Sequence, residues 1–223
     1  MAEVRNDHHS LRTLDFGCGS GNLTGDLLAL RVDVTAADVS TGFLDLVKAR
    51  FKGEPPKIHQ LNGSDLSEFP DQSFDLVASY SVLHHIPDYS AAVPRWSVCS
   101  KGAVIVIDHD ASPNAWQPDS ELERFRREAT LVEWRKYARP ANYLHRIRRM
   151  FDPKYSNEGD VHVWPDDHIE WGAIEEVMRD NGCEVVLRQD YLLSRRNYRP
   201  EVFERYRDRC KDTRVTIFRR NSR

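Results

Sequence analysis

Between Leu14 and Thr24 the chain reads Leu-Asp-Phe-Gly-Cys-Gly-Ser-Gly-Asn-Leu-Thr, and no other stretch constrains the fold as tightly. The apolar run from Leu11 to Phe16, in which Asp15 is the only acid, predicts a strand. Gly17, Gly19 and Gly21 at alternate positions predict a tight turn, and Leu23, Leu27 and Leu28 then open a helical pattern. A strand, a Gly-rich turn and a helix in that order bring backbone N–H groups and the positive end of a helix close to a ligand. A Cβ in the turn would block that approach or forbid its dihedrals.

The glycine spacing narrows the ligand. A dinucleotide turn wants its third glycine three residues after the second. Here Asn22 holds that position and the third glycine comes one residue early. Asp15, just inside the turn, would meet a pyrophosphate with like charge and suits a ligand with a positive amino group better. The segment Leu14-Asp15-Phe16-Gly17-Cys18-Gly19-Ser20-Gly21 closely resembles the first motif of the class I S-adenosyl-L-methionine (SAM) methyltransferases of small-molecule type, the "methyltransferase type 11"-like branch. The resemblance is close over about residues 11 to 110 and topological beyond. It implies SAM as cofactor and S-adenosyl-L-homocysteine (SAH) as product.

The following segments agree. Val32 to Ala37 predicts a second strand ending at Asp38 and Val39, and a carboxylate about 20 residues after such a turn is placed to bind ribose hydroxyls. Lys57 to Leu61 predicts a third strand, followed by Asp65 and Leu66; Asp65 resembles the family acid that accepts from the adenine amino group. Phe74 to Tyr80 predicts a fourth strand whose last residues, Ser79 and Tyr80, are expected along the inner side of the cofactor. Ala103 to Ile107 predicts a fifth. Continuous apolar runs suit a parallel sheet buried on both faces. Cys18, in the turn, is read as a small filler at the cofactor and not as a nucleophile. Asp15, Asp38 and Asp65 could each cap a strand or helix, but three such acids beside one Gly-rich turn argue against coincidence. Asp75, at the opposite end of its strand, reads as structural.

Farther on, Trp164 to His168 predicts a helix start with an aspartate N-cap, and Ile169, Ala173, Ile174, Val177 and Met178 follow at helical spacing up to Asn181-Gly182. Cys183 to Leu187 and Arg214 to Phe218 predict strands six and seven, with a charged helix from Pro200 to Lys211 between them. The expected fold is α/β: a Rossmann-like, doubly wound, seven-stranded and mostly parallel sheet with a helical insertion after strand five. An antiparallel strand seven between five and six is what the resemblance implies. The division is 1–110 as the SAM-binding half, 111–165 as the insertion and 166–223 as the remainder of the core. Pro94 interrupts the helix expected before strand five and should sit in its first turn, where a missing N–H costs least.

Composition bounds the rest. At 223 residues one domain can bury a sizeable core. No run of about 18 apolar residues predicts a membrane span, and the polar, charged start is no secretory signal. Four scattered cysteines fit a reducing cytoplasm better than a disulfide or zinc framework. The net charge of −3 hides an asymmetry: residues 1–110 carry nine basic and fifteen acidic side chains, and residues 111–223 carry 23 and 20.

The excess of basic residues is sharpest over 122–150, where arginines alternate with aromatic and aliphatic residues in the pattern of two amphipathic helices broken near Arg139-Pro140. A solvated basic face is the simpler account. The functional one is a lid, because only about ten residues precede the first strand and the insertion leaves the sheet at its ligand edge. Trp134, Tyr137 and Tyr143 would wall the acceptor, with Arg135 and Arg139 holding an anionic group. A peripheral membrane contact stays open, while the acidic balance and the lack of a recognised motif argue against nucleic acid.

Methyl transfer asks the protein to position a nucleophile, exclude water and at times remove a proton. Ser81-Val82-Leu83-His84-His85-Ile86 resembles the V-L-H segment of small-molecule O-methyltransferases, which makes His84 the candidate base, although the wider pattern is missing and such histidines also pack or cap. His85 and His109 are candidate substrate contacts; the side chains of Asp108-His109-Asp110, at the end of strand five, either bind substrate or cap the next element. No metal is expected, since the histidine and acid spacing lacks a ligand pattern. The leading reading is SAM-dependent methyl transfer to a small molecule. Transfer to a lipid or anionic glycan, and a non-catalytic SAM-binding module supporting a partner enzyme, remain as alternatives.

Overall fold

The computed structural model describes residues 10–63, 66–86, 88–109, 120–130, 169–195 and 197–221. Seven strands form one sheet in the order β3-β2-β1-β4-β5-β7-β6: β1 Arg12–Phe16, β2 Asp33–Asp38, β3 Lys57–Gln60, β4 Phe74–Tyr80, β5 Ser100–His109, β6 Cys183–Tyr191 and β7 Thr213–Arg220. The pairs among β1 to β5 are parallel, and β7 runs antiparallel to both β5 and β6. This is the expected Rossmann-like sheet, including the reversed strand between five and six. The carboxyl ends of β1, β2, β4 and β5 therefore share one edge with the start of β7 and the end of β6.

Register sorts the side chains. Leu14 pairs with Val77 and Phe16 with Ser79; Val77 pairs with Val104 and Ser79 with Val106. Because side chains alternate, these residues and Asp108 lie on one face, and Asp15, Ala78, Tyr80, Ile105 and Ile107 lie on the other. The first face carries the main core. There α3, Tyr89–Cys99, and α5, Trp171–Asp180, bury Val93, Trp96, Ile174 and Met178 against Leu14, Phe16, Val104 and Phe218. The Phe16 and Trp96 rings meet at 4.6 Å between centroids. On the opposite face lie α1, Asn22–Ala29, and α2, Thr41–Arg50, the latter packing Leu44 and Val47 against Cys18 and Ala36. A satellite cluster joins α4, Glu121–Ala129, to α6, Pro200–Tyr206, through Leu122, Phe125, Tyr198, Val202 and Tyr206.

Four local expectations are corrected. Pro94 lies at the sixth position of α3, not in its first turn. A proline there forfeits an i→i−4 bond at a cost of about 3 kcal/mol, and burial of Ala92, Val93, Trp96 and Cys99 on the same helix outweighs it. The helix expected to start near Asp166 begins at Trp171; Glu170 is its N-cap, and the Glu170 N–H donates to the Tyr89 hydroxyl at 2.9 Å, which pins that start to α3. The helix expected over 200–211 stops at Tyr206. The first amphipathic helix of the insertion stops at Ala129, where Thr130 turns extended and bridges to Tyr198. Otherwise β4 has the expected bounds, and β5, β6 and β7 run longer than expected. Among the described residues no helix is long and apolar enough to cross a membrane.

Candidate active site

The turn between β1 and α1 is held by backbone bonds to the neighbouring strand: the Gly17 and Cys18 N–H groups both donate to the Ala37 carbonyl, at 2.8 and 3.0 Å. Gly17, Gly19 and Gly21 all have positive φ, but different surroundings require them. A Cβ on Gly17 would come within 2.5 Å of the Val82 side chain, and one on Gly21 within 2.9 Å of Phe51. A Cβ on Gly19 would meet no heavy atom within 4 Å. The protein's own packing demands two of these glycines, while the third faces open space at the ligand end of the sheet.

Two of the expected acids shape that turn. Asp15 is buried and accepts a short 2.5 Å hydrogen bond from the Thr24 hydroxyl in the first turn of α1. Burial pushes its carboxyl up to about 6, against the lowering effect of the Thr24 bonds. Asp38, at the end of β2, accepts from the Gly19 N–H through Oδ2 and from the Ser40 N–H through Oδ1, each at 2.9 Å. Its pKa is also raised, by burial. Asp15 thus braces the helix end from below, and Asp38 ties the two ligand-edge turns together. Val39 is exposed just beyond.

Other expected contacts are revised. Cys18 turns its side chain into the α2 cluster, and burial raises its thiol pKa, so it is packed and unreactive. Leu66 is fully buried in the main core, leaving only its backbone for any ligand contact. Ser79 and Tyr80 do not line one surface together, because adjacent strand residues face opposite ways. Ser79 lies on the α3 face, buried, with no hydrogen-bond partner for Oγ among the described residues, and Tyr80 lies half-buried on the α1 face. Asp75 accepts from the Arg12 backbone and guanidinium at the far edge, the structural role expected of it.

After β4 the chain makes a single turn of 3₁₀ helix, Leu83–His85. His84 is buried, and its Nδ1 lies 2.7 Å from Asp108 Oδ1 at the end of β5. The other carboxylate oxygen, Oδ2, accepts from the Leu83 N–H at 2.8 Å. Asp108 therefore holds both the backbone of the turn and the imidazole on it. An imidazole that donates from Nδ1 to a carboxylate presents Nε2 as the basic atom. The His85 ring sits beside it, 3.9 Å between centroids. The sequence reading placed Asp108 only as a substrate contact or cap. Ala103 to Ile107 is apolar throughout and carries no signal of facing, and the pairing of Asp108 with His84 needs the β4–β5 register.

Asp65, Trp134, Arg135, Tyr137, Arg139 and Tyr143 lie outside the described residues, as does the side chain of His109. The backbone of His109 pairs with Thr213 at the carboxyl edge. Among the described residues no group of three or more His, Cys, Asp or Glu side chains is arranged to hold a metal ion.

A family described as a methyltransferase domain matches residues 14–107. An uncharacterized methyltransferase of Mycobacterium tuberculosis is 37% identical over 83 residues, 37% of this chain and 41% of that protein. A ubiquinone biosynthesis O-methyltransferase of Nitrosococcus oceani is 36% identical over 95 residues, 40% of this chain and 39% of that protein. The chain thus spans about two fifths of the length of these curated relatives. Among solved structures, an S-adenosylmethionine-dependent methyltransferase of Mesorhizobium loti superposes with TM-score 0.60 at 16% identity, over 95% of this chain and 91% of that one. Magnesium protoporphyrin IX methyltransferase of Synechocystis with bound SAH gives 0.55 at 16% identity, over 95% and 75%. At these identities the likeness to solved structures is one of fold.

Proposed function

We propose that this chain, whose residues 14–107 match a methyltransferase domain family, is a class I S-adenosylmethionine-dependent methyltransferase that transfers a methyl group from SAM to an oxygen atom of a small molecule. The observation that carries the reading is the open space at Gly19, beside a turn braced by Asp15 and Asp38. These residues suit SAM. The open side of the turn at Gly19, with Asp15, would hold the methionine end, Asp38 the ribose, and Asp65 with the Leu66 backbone the adenine end. When bound, SAM supplies a sulfonium-activated methyl carbon open to in-line displacement.

The chain's own chemistry is to orient the acceptor and remove its proton. His84 Nε2 would take the proton from the attacking hydroxyl, and Asp108 would keep Nδ1 protonated and stabilise the imidazolium that forms. General bases of this kind contribute roughly 10²–10⁴-fold. That the Nitrosococcus oceani relative is an O-methyltransferase supports an oxygen acceptor. In this reading residues 1–110 are the cofactor half, 111–165 cover the acceptor and 166–223 complete the core. The packing of α4 on α6 supports a cover that starts at the carboxyl edge. A cytoplasmic setting fits the four reduced cysteines.

Calorimetry tests the cofactor. SAM or SAH should bind with a Kd of about 1 μM, roughly −8 kcal/mol, and NAD should not bind. A panel of phenolic acceptors followed for SAH release tests the reaction. Binding of NAD with SAM ignored would overturn the assignment.

A further inference from the structure

Asp212, immediately before β7, has a role that the reading above does not use. Its N–H donates to the Tyr191 carbonyl at 3.1 Å. Its Oδ1 accepts from the Leu193 N–H at 2.8 Å and from the Thr213 hydroxyl at 3.0 Å. Its Oδ2 has no hydrogen-bond partner among the described residues, although the residue is only 1% exposed. A buried carboxylate oxygen without a donor is costly, and one left with neither donor nor counter-charge costs most.

The surroundings lie at the carboxyl edge. Thr213 pairs with His109 on one side and Tyr191 on the other. Register places Tyr191 and Thr213 on the same face as Tyr80. Tyr198 closes the satellite cluster beside them, its ring 4.9 Å from that of Phe125. Burial raises the hydroxyl pKa of Tyr80, Tyr191 and Tyr198; Arg195 opposes the rise at Tyr80 and Tyr198, and the charge of Asp212 adds to it in all three, which stay neutral phenols. Arg195, the nearby cation, lowers the pKa of the Tyr80 and Tyr198 hydroxyls, and it makes no hydrogen bond to Asp212 Oδ2. A buried anion among neutral tyrosines, next to the end of β5, suits a cation: the ion pair offsets the desolvation, and aromatic rings add to the attraction.

We propose that Asp212 Oδ2 anchors a protonated amine on the methyl acceptor, making this residue a determinant of acceptor specificity. The proposal rests on the methyltransferase reading and names a class for its substrate: a hydroxylated small molecule with a cationic amine, distinguished from neutral and carboxylated analogues.

Three catechols of different charge serve as probes, each titrated into the SAH-loaded full chain: dopamine, 4-methylcatechol and 3,4-dihydroxybenzoate. Dopamine should bind at least tenfold more tightly than the other two. Asp212→Asn keeps an oxygen for the Leu193 N–H and replaces Oδ2 with a donor, so it should erase the preference while leaving SAH affinity unchanged. Absence of an amine preference in the native chain, or the same preference in the variant, overturns the proposal. If the variant fails to fold, a structure of the native chain with SAH and dopamine decides, since an amine bound away from Oδ2 also overturns it. Failure to bind SAH would instead count against the methyltransferase reading itself.

Discussion

His84 Nδ1 and Asp108 Oδ1 lie 2.7 Å apart, both side chains almost wholly buried, and the same carboxylate holds the Leu83 N–H with its other oxygen. One acid therefore fixes where the histidine stands and which of its nitrogens carries the proton. Asp108→Asn separates these tasks. Its carbonyl can still hold the Leu83 N–H, but its amide would then face Nδ1 as a donor and force the proton onto Nε2. Turnover should fall at least a hundredfold with the Kd for SAM unchanged, as measured by steady-state kinetics and calorimetry on one sample. Turnover close to that of the native chain would reduce the pair to a clamp on the turn.

The three turn glycines should separate in their effects. Gly17→Ala drives a Cβ into Val82 and should lower the melting temperature sharply. The Cβ of Gly19→Val meets no heavy atom within 4 Å, so the change incurs mainly the left-handed backbone strain, about 1–2 kcal/mol. It should nevertheless abolish SAM binding by filling the open space. Thermal melts with and without SAM read both effects. A Gly19→Val chain that still binds SAM would show that the ligand does not lie against the turn.

Asp15 makes stability and binding depend on pH in opposite senses. Its carboxyl is raised to about 6 by burial, so the folded chain holds that proton more tightly than the unfolded chain does. Its contribution to stability is greatest below the ordinary carboxyl value of about 4, falls as pH rises through about 6 and is level above that. If the SAM ammonium pairs with the ionised form, affinity should climb over the same interval. Denaturation and calorimetry from pH 5 to 8 give both curves, and Asp15→Asn should flatten both. A native affinity curve that is flat across pH 6 argues that the ammonium sits elsewhere.

Pro94 offers a test free of any ligand. Pro94→Ala restores a backbone donor in the middle of α3 and should stabilise the chain by about 1 kcal/mol or more in a urea titration. A loss of stability would mean that the ring's own packing outweighs the missing bond.

Much of this architecture is local and could be read from the chain. The β1 turn, the bounds of β4 and the run of parallel strands follow from periodicity and glycine spacing, because each depends on residues close in sequence. What escaped depends on register. The His84–Asp108 pair spans 24 residues and exists only because β4 and β5 align as they do. Ser79 and Tyr80 were expected on one surface, although the two-residue period of a strand sends them to opposite faces. Leu66 looked like a ligand contact by its neighbour Asp65, yet an apolar side chain there goes to the core. Pro94 was expected at a helix start because propensity carries no knowledge of Trp96 and Val93 on the same helix.

The placement of β7 between β5 and β6 bears on how the chain is made. Residues 213–220 emerge from the ribosome after both strands they join, so until they arrive β5 presents a bare edge and β6 has nothing to pair with in the sheet. The half built around the Gly-rich turn can assemble from neighbouring segments while synthesis continues, but the side of the sheet that bears Asp212 cannot. Until residues 213–220 arrive, a nascent chain would carry unpaired, aggregation-prone backbone on that side of the sheet. A ribosome stalled short of residue 213 would hold a chain with its Gly-rich turn formed and the β5 edge of its sheet open.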